Sequence, residues 1–397
     1  MLCYRLTKTN FWLKLYFKII YFYSKLFGMV FFSVTPNGTI EYSMKWQISS
    51  IVYRVVTSLG FAYSSFNNMP LLITAVHKYS STLLIFQIVY TTLFSLNLLI
   101  FQLKHSKDTF KLIQKYFQTC KKLTKLTKNS KLFGPEFYLV SFGRLFFNGC
   151  LLVIEMPRFF KFKKRFNFSI IIQIYLGYAM AFIWFIIIDA LNIGYMMCSG
   201  MYRNIGNHIG YLVKSIRNTD FNSMTTYRQM QVLCDFSEEL EKCSAIYSQI
   251  SKITREFHEM FQILLLFVLY GNVFTIISGI HHNFMYYLTF GHITWGFAMM
   301  VFVEIVEITC LLLLTDLTAK RSRMALNFEW ETLFSNIEVR WDRSVEQFLS
   351  KLKLENLKLE VYGMFELNNE LCLSIFSIVF GYLTILIQFN MMGYFKE

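Results

Sequence analysis

Two carboxylates, Glu304 and Glu307, stand three residues apart inside an apolar run that ends at Asp316. On a helix that spacing puts both on nearly one face. Acids in such a run serve as proton or cation ligands, or they simply end the span beside basic loop residues. A second chemistry is raised by His281-His282 and His292. Membrane metal oxidases need several histidine boxes, and no cysteine or carboxylate cluster accompanies these three. No metal and no cofactor are therefore expected. The chain contains no Gly-x-Ser-x-Gly, His-Glu-x-x-His or phosphate-binding glycine loop, so nothing in it supports an enzyme.

Two larger constellations suit recognition and conduction. Phe86, Gln87 and Tyr90, then Phe147 and Asn148, then Gln173, Tyr175, Tyr178 and Trp184, and finally Tyr286, Tyr287, His292 and Trp295 fall in the outer halves of apolar runs. A pocket for a small amphipathic molecule needs such a lining, aromatic area with a few hydrogen-bonding groups. Interfacial anchoring uses the same residue types. The candidate ligand contacts are Phe86, Tyr90, Asn148, Tyr175, Tyr178, His292 and Trp295. In the closing run, Ser374, Ser377, Gly381, Thr384 and Gln388 recur at helical spacing, a small-polar stripe on a lipophilic helix. Such a stripe packs against other helices or lines a wet pore, with Ile385 beside it as an apolar constriction.

The elements that position these residues are membrane helices. Hydrophobic residues make up 55% of the chain and charged ones 16%, too little charge to cover a soluble protein of this size. The fold class is all-α and polytopic, with seven spans expected at 46–66, 82–103, 137–156, 168–198, 258–280, 286–316 and 369–391. Arg54 interrupts the first and Arg144 the third. Residues 11–34 read as an interfacial amphipathic helix within a segment 1–45. Two further segments, 199–257 and 317–368, read as cytoplasmic and helical. They flank the spans at 258–316 and precede the last span with its tail, 369–397. Lys and Arg number 30 in loops on the N-terminal side and seven on the other. That bias makes the N terminus cytoplasmic and the C terminus extracellular, the reverse of a G-protein-coupled receptor. The net charge of +14 then belongs to cytoplasmic loops beside membrane lipid, and no nucleic-acid partner is expected. Asn167 starts a sequon on the outer side and is the expected glycosylation site, whereas Asn37 lies inside.

The last run also carries a family resemblance. Gly381-Tyr382, five residues, then Gln388-Phe389 resembles the Thr-Tyr…Gln-Phe signature of insect gustatory receptors, with Gly in place of the Thr. Tyr362-Gly-Met-Phe-Glu-Leu-Asn368 and Tyr23-Ser-Lys-Leu-Phe-Gly28 are similar to that family's approaches to its last and first spans. The resemblance implies a tastant-gated, non-selective cation channel of four subunits, homomeric or shared with other gustatory receptors. It would sit in the plasma membrane of gustatory neuron dendrites and need no G protein. Ser374, Ser377, Gly381, Thr384, Ile385 and Gln388 would line the pore. Leu383 stands where the sugar-receptor branch carries Glu, which favours a bitter or aversive ligand. An ion-coupled carrier built on Glu304 and Glu307 is the alternative, although repeats and broken helices are missing.

Overall fold

The computed structural model describes residues 11–30, 32–34, 40–74, 78–128, 133–162, 168–293, 295–334, 337–355 and 357–394. Among them, α1 is Phe11–Leu26, α2 Met44–Thr74, α3 Lys78–Thr127, α4 Pro135–Phe162 and α5 Phe168–Arg217. Then come α6 at Thr226–Phe290, α7 at Trp295–Ser322, α8 at Val339–Leu354 and α9 at Asn369–Tyr394. Two small antiparallel hairpins complete the described residues, β1 (Phe32–Val34) with β2 (Ile40–Tyr42) and β3 (Glu360–Val361) with β4 (Phe365–Glu366). The fold is nearly all-helical, as the composition demands.

Among the described residues, five helices, α3, α5, α6, α7 and α9, contain stretches long and apolar enough to cross a membrane. The two interrupted by arginine, α2 and α4, complete a seven-helix bundle. Three of the seven far exceed a bilayer core of about 30 Å. With 50 residues in α3 and in α5 and 65 in α6, they run about 75 to 98 Å at 1.5 Å per residue. Their surplus forms a helical stalk at one end of the bundle. The other end is closed by the α6–α7 turn and is called the hairpin end below.

Contacts in the stalk show why the surplus folds rather than frays. Ile205, Ile209, Leu212, Val213 and Ile216 on α5 are buried, as are Leu233, Leu240 and Cys243 on α6. Their three-to-four spacing gives each helix one apolar stripe. The amphipathic α8 covers the α6 stripe with Trp341, Val345, Phe348 and Leu352, and the short turns Met324–Asn327 and Trp330–Leu333 pack on α5. Trp341 Nε1–H donates to the Leu333 carbonyl at 2.8 Å, and Ser344 meets Ser237 of α6 at 2.7 Å. Lys115 of α3 pairs with Glu256 of α6 at 2.6 Å.

Two expected boundaries are corrected. The sixth span does not begin at 286, because α6 continues through Tyr286 and Tyr287 to Phe290. Gly291, in the left-handed region at φ 73, ends it by donating its N–H to the Tyr287 carbonyl; that conformation is cheap only for glycine. Histidines 281 and 282 are therefore helical rather than in the turn. The N-terminal helix stops at Leu26 rather than 34, where Met29 N–H closes on the Ser24 carbonyl at 2.7 Å, and Phe32 enters a strand. Tyr16 of α1 is buried, edge-on to Phe137 of α4. The helix thus docks on the bundle. Asn37 and Asn167 lie outside the described residues.

Candidate functional site

The closing helix is built on a clamped foot. Tyr362 and Gly363 turn the β3–β4 hairpin, and Leu367 is buried behind it. Asn368 then caps α9, its Oδ1 accepting the Leu371 N–H at 3.0 Å, a standard way to satisfy an otherwise orphaned donor. The Glu360 carbonyl accepts from His258 Nε2–H at 2.8 Å and from Gln262 at 3.3 Å, both on α6. With Nε2 donating, Nδ1 of His258 accepts the Tyr195 hydroxyl of α5 at 2.8 Å. Thr315 of α7 donates to the Leu367 carbonyl at 3.2 Å. Three neighbouring helices thus hold the entry to α9.

Beyond its foot, α9 is nearly bare. Ile375, Val379 and Leu383, spaced by four, are its buried row. Ser374, Ser377, Gly381, Thr384, Ile385 and Gln388 are all exposed. At 100° per residue their arc centres on the side opposite that row. Ser374 and Thr384 turn their hydroxyls back onto the Glu370 and Phe380 carbonyls, which satisfies them without water. A Cβ at Gly381 would meet open space. Tyr382 is also exposed; the side chain of Phe389 lies outside the described ones.

The expected ligand contacts fall in three places. Tyr90 of α3 is half-buried and donates its hydroxyl to the Phe267 carbonyl of α6. Trp184 of α5 lies edge-on to Tyr90 at 6.5 Å and to Phe94 at 4.4 Å, and Phe267 stands 5.8 Å from Tyr90. The backbone gap for this cluster is Gly271, where a Cβ would come within 2.3 Å of Trp184. Phe86 is exposed, 6.4 Å from Phe274. Tyr175 is exposed, whereas Tyr178, one turn on, is half-buried. His292 and Trp295 sit exposed at the hairpin end, His292 at 3.4 Å from the Tyr286 hydroxyl. Asn148 is on α4, its side chain outside those described. Tyr90 and Trp184 thus come together with Phe94 and Phe267; Phe267 had no mark in the sequence beyond its place in an apolar run.

A set of charges joins α4, α5 and α7 twice. Arg144 of α4 pairs with Asp189 of α5 at 2.6 Å and with Glu307 of α7 at 3.0 Å. The second contact lies off the hydrogen-bond line, leaving both Glu307 oxygens without one. Toward the stalk, Glu136 of α4 pairs with Arg203 of α5 at 3.0 Å and Arg321 of α7 at 2.8 Å. Signs are inverted between the layers: cation on α4 in one, anion on α4 in the other. Sliding α4 toward either layer separates opposite charges in both, so its register is set electrostatically. Burial alone would raise the Glu136 carboxyl. Hydrogen bonds from its own N–H and Arg321, with the charges of Arg321 and Arg203, hold it below the usual carboxylate range. Glu304, one turn toward the hairpin end from Glu307, is 8% exposed and leaves Oε2 unpartnered.

The chain is a seven-helix membrane bundle with one bare, polar-striped helix. The chain belongs to the 7tm chemosensory receptor family, whose pattern it matches over residues 17–393. It is 27% identical over 336 residues to the gustatory receptor for bitter taste 93a of Drosophila melanogaster, covering 82% of this chain and 80% of that one. To the putative gustatory receptor 93b of the same fly it is 21% identical, covering 77% and 75%. The solved insect olfactory receptor OR5 from Machilis hrabei has the same fold: the TM-score is 0.58 at 12% identity, over 95% of this chain and 99% of that one.

Proposed function

We propose that this chain is a gustatory receptor that works as a ligand-gated, non-selective cation channel for aversive small molecules, with α9 lining the pore. The observation that carries the reading is the stripe Ser374, Ser377, Gly381, Thr384 and Gln388, left bare opposite a narrow buried row. A lipid-facing helix gains nothing from that stripe, whereas a shared axis wets it. Four subunits, identical or mixed with other gustatory receptors, would bring four such stripes together. Ile385, exposed among them, supplies the apolar ring that closes by dewetting. The clamped foot at Glu360–Asn368 passes motion of α5, α6 and α7 to the pore helix.

Ligand would enter from the hairpin end, taken as extracellular, and lie against the aromatic cluster around Tyr90 and Trp184, with Phe86 and Tyr178 near its rim. The relative named for bitter taste and Leu383 at the sugar-branch Glu position support an aversive ligand. On this reading the stalk is cytoplasmic, Asn167 is glycosylated, and the receptor acts in dendrites of taste neurons without catalysis or G protein. The test is cation current in cells expressing the chain, alone and with partner receptors, under a panel of bitter compounds and sugars. Current evoked by bitter compounds is expected. Current evoked by sugars alone would refute the ligand class, and silence to the whole panel at confirmed surface expression would refute the reading.

A further inference from the structure

The charge set in the bundle does not balance. Arg144 brings one positive charge against three carboxylates: Asp189, Glu307 and Glu304. The cation acting on Glu304 is that same Arg144, already engaged by the other two. Tyr16 and Cys310, the other titratable neighbours of Arg144, carry no positive charge. Burying carboxylates in excess of cations is expensive in an apolar medium. Such a group inside a membrane span marks a functional site. Glu304 is more than nine-tenths buried, and its Oε2 has no hydrogen-bond partner among the described residues.

We infer that Glu304 is the counter-ion for an organic ammonium group, so that the receptor takes protonated amines among its ligands. The inference rests on the ligand-gated reading above and names the ligand class. Three observations set the chemistry. Glu304 lies nine residues from the start of α7, about 13 Å below the hairpin end at 1.5 Å per residue. A ligand whose apolar body lies among the aromatic rings of that half can reach it with a cationic head. Among the described residues no group of three His, Cys, Asp or Glu forms a metal cage, and hard metal ions need more oxygen ligands than two carboxylates give. Aromatic rings stand at the same depth of the bundle, with Phe147 of α4 edge-on to Phe302 of α7 at 5.4 Å. Ring faces attract organic cations. Glu307 fixes the depth, since Arg144 holds it in place one turn below.

The test uses the purified full-length protein in detergent at pH 7.5. Its thermal unfolding midpoint is followed with phenethylammonium chloride, with phenethyl alcohol as the neutral counterpart, and with sodium chloride. Saturating phenethylammonium should raise the midpoint by about 4 °C, the size expected for a ligand well above its Kd. The alcohol and sodium should leave it within about 1 °C. Glu304→Gln should fold, since it replaces a carboxyl without a hydrogen-bond partner by a neutral isostere, and should abolish the shift. Glu370→Gln, on exposed α9, should keep it. An equal shift with the alcohol, a shift with sodium alone, a shift that survives Glu304→Gln, or no ammonium shift in the wild type would each overturn the inference. A Glu304-dependent shift in a protein that passes no evoked current would leave the ammonium site standing and sink the channel reading instead.

Discussion

Replacing Arg144 by Met tests whether the charge layers hold the bundle. The side chain is 4% exposed and pairs with Asp189 and Glu307, themselves 13% and 2% exposed. Met fills most of the volume, so little cavity forms and the loss is electrostatic. Removing one partner of a buried pair costs about 3–5 kcal/mol, because the remaining charge is stranded. Here two carboxylates are stranded, which puts the expected loss at the upper end of that range. With both variants built in a Glu304→Gln background, so that no third carboxylate loses Arg144, the triple variant Arg144→Met with Asp189→Asn and Glu307→Gln strands neither, and buried ion pairs replaced by neutral groups are often close to neutral in stability. It should recover to within about 1 kcal/mol of that Glu304→Gln parent. Denaturant titration of detergent-purified protein, read by tryptophan fluorescence, measures all three. A single variant losing under about 1 kcal/mol, or a triple variant as unstable as the single, would refute the electrostatic reasoning.

Three further outcomes bear on the fold and the ligand region. Asn368→Ala should cost about 1 kcal/mol by removing the α9 cap, visible as a lower midpoint, with Asn368→Asp retaining most of it. Gly271→Ala should push Trp184 and Tyr90 apart and cost about 1–3 kcal/mol, with a weakened response to ligand in the same cells. Because Glu136 titrates below the usual carboxylate range, its contribution is full above the unfolded value and lost as pH falls through the lower folded one. Glu136→Gln should therefore flatten the acid limb of a stability–pH curve and leave the neutral plateau shape unchanged.

Five of the spans were legible because each is a long apolar run, and the weaker pair, α2 and α4, was marked by Arg54 and Arg144. What those arginines do was not legible. Arg144 meets Asp189 and Glu307 from 45 and 163 residues away, and only packing reveals the pairing. The string Tyr362–Asn368 could be recognised as a resemblance, while its work as turn, buried Leu367 and helix cap needed geometry. The α6–α7 boundary was misplaced because the run of Met285–Phe290 is as apolar as a span. A single left-handed Gly291 decided it locally. The stripe on α9 was visible as spacing, and its exposure came from the narrowness of the row Ile375, Val379 and Leu383.

The central claim, that α9 lines a conducting path, is tested most directly by substituted-cysteine accessibility along 374–388 during evoked current. Cysteines replacing Ser374, Ser377, Gly381, Thr384 and Gln388 should be modified by a charged, water-soluble thiol reagent and change the current. Those replacing Ile375, Val379 and Leu383 should be protected. Protection at every striped position while current flows, or modification confined to the buried row, would contradict the account.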